Sequence, residues 1–298
     1  MRHNEAIRIK ASLYTGIALR VKIMSPAAME NLLHAIDLDS GVAKKPGDEL
    51  EEIGKKKKLG ESASNAQDVL PINDALEPKP GVVNLRFEEC FIQKKACAML
   101  SEWLKNKALI ETLGLIRVTF EDVVDFKKIT EGMKVNNKLL KLSFQNMNLD
   151  EEVHGTAIGR VLSDSRTIRE LDMSHVLFDY RSFYDMSQAI LNERCRLNVL
   201  KLRGLKVGQI EGKIIQFILM KNKTIHTFDL SECRAEDSTH FDYFCEKLGQ
   251  FCCLRFLTME KMYPDLTNNI ETIGEALAEN KKLEVLILRD NKIKWINY

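Results

Sequence analysis

The chain has no catalytic or cofactor-binding motif among its 298 residues. There is no H-E-x-x-H pair to hold a zinc-bound water and no paired C-x-x-C for a metal or a dithiol. There is also no G-x-S-x-G elbow to raise a nucleophilic serine and no G-x-G-x-x-G turn to admit a pyrophosphate. The strongest signals for metalloprotease, redox, hydrolase and dinucleotide chemistry are therefore missing. The six histidines, His3, His34, His154, His175, His226 and His240, are scattered, so no metal cluster follows from them. Gly208 to Lys213 (GQIEGK) is one residue too short between its glycines for a phosphate loop, and Ile214 stands where Ser or Thr would be needed. Neither a catalytic residue, a cofactor nor a metal is expected.

Charge bias is lacking too. Lys and Arg number 44 against 43 Asp and Glu, a net charge of +1, which names neither nucleic acid nor a membrane surface as partner. No apolar run approaches the roughly 20 residues of a membrane span. The opening MRHNEAIRIK has basic residues without the uninterrupted apolar region of a signal peptide, so an intracellular, cytoplasmic chain is expected. The seven cysteines are an odd number and read as reduced, structural thiols rather than a disulfide framework.

A repeat is what is present. Leu283 to Ile293 (LEVLILRDNKI) places Leu283, Leu286, Leu288, Asn291 and Ile293 in slots one, four, six, nine and eleven of an L-x-x-L-x-L-x-x-N-x-L segment. The same spacing begins again at residues 82, 110, 139, 168, 197, 225 and 254, so eight segments follow one another at steps of 28 or 29. Slot nine is otherwise Cys90, Val118, Met147, Val176, Leu205, Cys233 and Met262, where Cys behaves as a small hydrophobe. Slots four and six alternate with solvent-facing neighbours, as in a short strand with one buried face. The return segments carry helical stripes: Val153, Ala157, Ile158, Val161 and Leu162; Phe183, Met186, Ile190 and Leu191; Ile270, Ile273, Ala276 and Leu277. A lone repeat buries too little to fold, and stacking supplies the remainder.

On these segments, residues 81–298 resemble the leucine-rich-repeat superfamily, and the long period resembles its ribonuclease-inhibitor-like subclass. The resemblance implies an α/β solenoid, a horseshoe with a parallel sheet on the concave side and helices on the convex side. Residues 1–40 are a separate N-terminal segment. Tyr14, Ile17, Leu19, Lys22 and Met24 match the repeat loosely, and Ser25-Pro26 opens a helix carrying Met29, Leu32, Leu33 and Ile36. The 68 residues from Tyr14 to Val82 do not divide into repeats, which favours a cap over a divergent repeat. Residues 41–80 have the composition of a charged linker, and within them Lys55 to Lys58 read as solvated charge balanced by nearby acids.

Surface remains as the place for function. The concave rows read Arg86, Gly114, Ser143, Asp172, Lys201, Asp229, Thr258, Ile287 at slot five and Glu88, Ile116, Gln145, Ser174, Arg203, Ser231, Glu260, Arg289 at slot seven. They are mixed in sign and lack the aromatic ladder or basic stripe of a nucleic-acid binder. With Val199, Phe256 and Val285 in the preceding row, the C-terminal repeats set apolar groups among charged ones. The expected partner-binding residues are Phe256, Val285, Ile287, Arg289, Lys201, Arg203, Asp172 and Asp229, and the partners are proteins. The family resemblance implies a non-enzymatic interaction scaffold in a larger intracellular assembly, with a cytoskeletal or ciliary axonemal setting as the expectation. The alternative is a GTPase-activating protein of the Ran type. Residues after Ile293 are too few for another helix, so the C-terminal edge is expected to be covered by a partner or by further chain.

Overall fold

The computed structural model describes residues 84–106, 110–235, 237, 244–251, 253–262 and 270–291, together with the backbone of 8–12, 16–20 and 23–24. The helix expected after Pro26, the linker 41–80 with Lys55 to Lys58, the outer slots Val82, Pro264 and Ile293, and the last residues 292–298 lie outside them.

Ten strands form one sheet in chain order: β1 (Arg8–Ser12), β2 (Gly16–Arg20), β3 (Asn84–Glu88), β4 (Thr112–Ile116), β5 (Lys141–Gln145), β6 (Glu170–Asp172), β7 (Val199–Lys201), β8 (Thr227–Asp229), β9 (Phe256–Thr258) and β10 (Val285–Ile287). Among the described strands, only β1 and β2 pair antiparallel. From β2 onward every neighbour is parallel. Helices lie between successive strands: α1 (Lys94–Asn106), α2 (Val123–Val135), α3 (Glu152–Asp164), α4 (Tyr180–Leu191), α5 (Gln209–Lys221) and α6 (Ile270–Glu279). Parallel neighbours require such crossovers, because the chain must travel back before it can run forward again.

The register follows the repeat slot for slot. Leu85, Leu113, Leu142, Leu171, Leu200, Phe228, Leu257 and Leu286 stand opposite one another in one row. From β3 to β9 every residue at slots four and six is at most 1% exposed, so the core is a continuous strip between the sheet and the helices. At the first edge, Ile17 pairs with Leu85 and Leu19 with Phe87, while Ile23–Met24 pairs with Phe91–Ile92. That backbone is in the register of the repeat despite its 68-residue distance in sequence, and β1 turns back across its outer side.

Three ladders run across the repeats. At slot eight, Glu89, Arg117, Asn146, His175, Gly204, Glu232, Lys261 and Asp290 all have φ between 50° and 68°, which ends each strand and turns the chain. The slot-eight N–H donates to the slot-seven carbonyl of the next repeat, as in His175 to Arg203 at 2.6 Å and Glu232 to Glu260 at 2.7 Å. At slot nine, the Asn291 amide donates to the Met259 carbonyl at 2.6 Å, and its oxygen accepts from the Met262 N–H at 2.8 Å. Cys233 serves the same slot as a donor, its thiol lying 3.2 Å from the Leu202 carbonyl. Behind the helices, the Asn136, Asn222 and Asn280 amides donate to the Leu104, Ile190 and Leu248 carbonyls at 2.9, 2.8 and 2.6 Å. Their oxygens accept the N–H groups leading into the next strand.

Each helical stripe has half-buried members, Val153 on α3, Leu191 on α4, and Ile270 and Leu277 on α6, and the one on α3 is shared with a residue outside the expected set. Val153 is only half-buried on α3, and His154 takes the inner position, 6% exposed, with its ring 5.2 Å from that of Phe126. The N-cap at Glu151 decides this, because the His154 Nδ1 turns in to accept the Glu151 N–H at 3.3 Å.

Candidate functional site

The sheet face away from the helices carries slots three, five and seven. Its N-terminal and central parts are polar and largely self-neutralised. The Glu170 carboxylate receives the Lys141 and Lys201 ammonium groups at 2.8 and 2.7 Å. Burial works to raise the Glu170 pKa, but the two ammonium partners together hold it below the usual carboxylate range. Asp172, 6% exposed, accepts from the Ser174 hydroxyl at 2.6 Å and from the Gln145 amide at 2.7 Å. Arg203 reaches Glu232 at 2.7 Å and Asp229 at 3.5 Å, and Asp229 also accepts the Ser231 N–H at 2.9 Å. The Arg203 guanidinium holds the Glu232 carboxyl below its ordinary value.

Of the eight expected partner-binding residues, Lys201, Arg203, Asp172 and Asp229 thus belong to this internal network. A partner would have to compete with bonds already made, so these four offer charge complementarity at a desolvation cost. Ile116, expected on the open face, is 2% exposed. Gly114 explains this, because Ile116 Cδ1 and Arg86 Cγ lie only 3.9 and 3.4 Å from where a Gly114 Cβ would stand. Both side chains fold over the space the glycine leaves.

The C-terminal part differs. Phe256 and Val285 are 37% and 39% exposed and stand directly opposite each other on β9 and β10, with Ile287 half-buried two residues on. This apolar group is bracketed along both borders. On one side Arg255 makes a two-pronged bond to Glu284 at 2.7 and 2.9 Å, and its guanidinium lies 5.8 Å from the centre of the Phe256 ring. On the other, Arg289 faces Glu260 at 3.6 Å. Arg289 is thus the one charged residue of the expected set beside the apolar group. An apolar centre inside a polar rim is the layout of a protein-binding patch. The Arg255–Glu284 and Glu260–Arg289 pairs were legible only as charges in sequence; that they face each other depends on the strand register.

The glycine-rich stretch makes no anion site. Gly208 is the N-cap of α5, and the Glu211 carboxylate occupies that helix end by accepting the Gly208 N–H at 3.0 Å. Among the described residues, no group of three His, Cys, Asp or Glu side chains is placed to hold a metal ion. No helix among them is long and apolar enough to cross a membrane. No family model matches the chain, and a search of curated proteins finds no match.

Proposed function

We propose that the chain is a leucine-rich-repeat solenoid of horseshoe form that holds a partner protein on its sheet face and performs no chemistry of its own. Two spacings support the curvature: strands stack about 4.7–4.9 Å apart and helices about 8–10 Å apart, so a layer of each in one-to-one register bends with the sheet inside. The observation that carries the function is the exposed pair Phe256 and Val285 with the half-buried Ile287 beside them, framed by the Arg255–Glu284 and Arg289–Glu260 pairs. Aromatic and Arg side chains supply most of the energy at such patches. In this reading the protein is a subunit of an intracellular assembly, of cytoskeletal or axonemal type. The free cysteines Cys90, Cys97, Cys195 and Cys233 suit a reducing compartment.

The test is co-purification from the native source, comparing wild type with Phe256→Ala. The substitution should weaken the partner complex by about 2 kcal/mol, as for an interface hot spot, while the melting temperature stays nearly unchanged. Leu200→Ala, at 0% exposure, should do the opposite and cost about 2–5 kcal/mol of stability. Undiminished complex with Phe256→Ala rules out the patch. A protein-dependent rise in phosphate release by small GTPases would replace the scaffold reading with the catalytic-activator one.

A further inference from the structure

A net charge of +1 conceals two edges of opposite sign. Because the strands from β2 onward pair parallel, the turns that lead from a helix into a strand lie along one edge of the stack, and those from a strand into a helix along the other. The second edge carries Glu121, Asp122, Asp150, Glu151 and Asp179, as helix N-termini favour. The first carries cations at one place in four successive repeats. Lys138, Arg166, Arg196 and Lys223 each stand one or two residues before slot one.

A cation beyond a helix C-terminus ordinarily offsets the helix dipole and bonds its last carbonyls. Here other donors meet those carbonyls. The cap residues Asn136, Ser165 and Asn222 give their backbone N–H groups to Met133, Val161 and Ile218. The Asn136 and Asn222 amides reach back to the Leu104 and Ile190 carbonyls, and the Thr167 hydroxyl to the Leu139 carbonyl at 2.7 Å, so the turns are tied to the preceding repeat. Among the described residues, the side chains of Lys138, Arg166, Arg196 and Lys223 make neither an ion pair nor a hydrogen bond, and all four are exposed.

The carboxylates of this edge are engaged or offset. Glu170 holds Lys141 and Lys201, Asp164 faces Lys134 at 3.7 Å, Glu193 is matched by its neighbour Arg194, and Glu111 lies one repeat before the row begins. Arg169 adds to the row, because its guanidinium donates to the Arg166 and Ile168 carbonyls and meets no carboxylate. The result is a line of unneutralised positive charge on fixed backbone.

We propose that this edge docks an acidic, extended segment of a partner protein, its alternate carboxylates reaching Lys138, Arg166, Arg196 and Lys223 in turn. Strands stack about 4.7–4.9 Å apart and helices about 8–10 Å apart, so turns that join the two layers set their cations about 5–10 Å apart. An extended chain returns to the same side every second residue, about 6.6 Å on. The four turns, NNKLL, SRTIR, NERCRLN and NKTIH, contain no Phe, Tyr or Trp, so nucleic-acid bases find no stacking platform there. A single line of charge also fits one extended chain better than a plane of lipid headgroups.

Fluorescence anisotropy on the full chain tests this with a labelled peptide of Glu alternating with Ser. The peptide should bind, weaken as salt rises, and bind more tightly than its Lys-for-Glu counterpart or oligothymidylate. Arg166→Glu with Arg196→Glu should weaken it about tenfold or more, and the gentler Arg166→Gln with Arg196→Gln about threefold. Lys95→Glu with Lys127→Glu makes the same change of net charge at exposed positions on α1 and α2, and should alter binding less than about twofold. Circular-dichroism melts of the Gln variant and wild type should coincide. No binding at low salt, equal loss in both Glu double variants, or tighter binding to oligothymidylate or to phosphatidylserine vesicles overturns the proposal. Phe256→Ala should leave peptide binding unaltered, so this edge and the sheet-face patch stand or fall separately.

Discussion

At slot nine a single side-chain atom decides what a repeat can hold. Asn291 bonds backbone on both sides of its turn, and Cys233 reproduces the donor half through its thiol. Burial pushes the Cys233 pKa up to about 12, so it remains a neutral S–H donor at physiological pH. His154 is a residue-scale device of another kind. Its Nδ1 must be unprotonated to accept the Glu151 N–H, and burial lowers its pKa from 6.5 against the opposing pull of Glu151 and Asp150. The folded chain therefore binds this proton less readily than the unfolded chain. The stabilisation is full above pH 6.5 and is lost as the pH falls through that value toward the folded pKa. Thermal melts from about pH 7 to about pH 5 should show wild type losing more melting temperature than His154→Gln, whose amide oxygen accepts the same bond without titrating. Parallel curves would remove His154 as the acid-sensitive group.

Between elements, the same residue type has opposite consequences in two helices. Gly155 on α3 lies where a Cβ would meet the Ser182 carbonyl oxygen at 2.0 Å, whereas a Cβ on Gly274 of α6 meets nothing within 4 Å. Gly155→Ala should destabilise by about 1–3 kcal/mol through overpacking. Gly274→Ala should stabilise by about 0.5–1 kcal/mol by reducing the freedom of the unfolded backbone. Urea titration of both variants checks the pair, and a common sign would mean that α3 and α4 have room to separate. The strand β2 is also an element-scale matter. The 68 residues from Tyr14 to Val82 argued against a repeat, yet Ile17 pairs with Leu85, because pairing requires adjacency in space and not a fixed distance along the chain.

Across the whole molecule, stability is shared unevenly along the sheet. Leu257 and Met259 are 1% exposed, while the equivalent Leu286 and Leu288 of the last described strand are only partly buried, as is Leu283. Stacked repeats draw their stability from neighbours on both sides. Amide exchange should therefore be faster in β10 than in β7, by a factor that falls when a partner is bound near Phe256. Equal protection in the two strands would show that the final row is covered as fully as the inner ones.

The sequence by itself determined the periodic part of the architecture: eight strand segments, their phase, and the identity of the inward residues. That information is local, since each slot is set by apolar residues a few positions apart, and stacking only copies it. Tertiary structure decided whatever depends on side chains about one repeat apart. Arg203 finds Glu232 across 29 residues, Gln145 finds Asp172 across 27, and Arg255 finds Glu284 across 29. The expected site was half legible for the same reason. Phe256 and Val285 are apolar in any context, but whether Lys201 or Asp172 is available to a partner depends on neighbours that only the strand register brings alongside them.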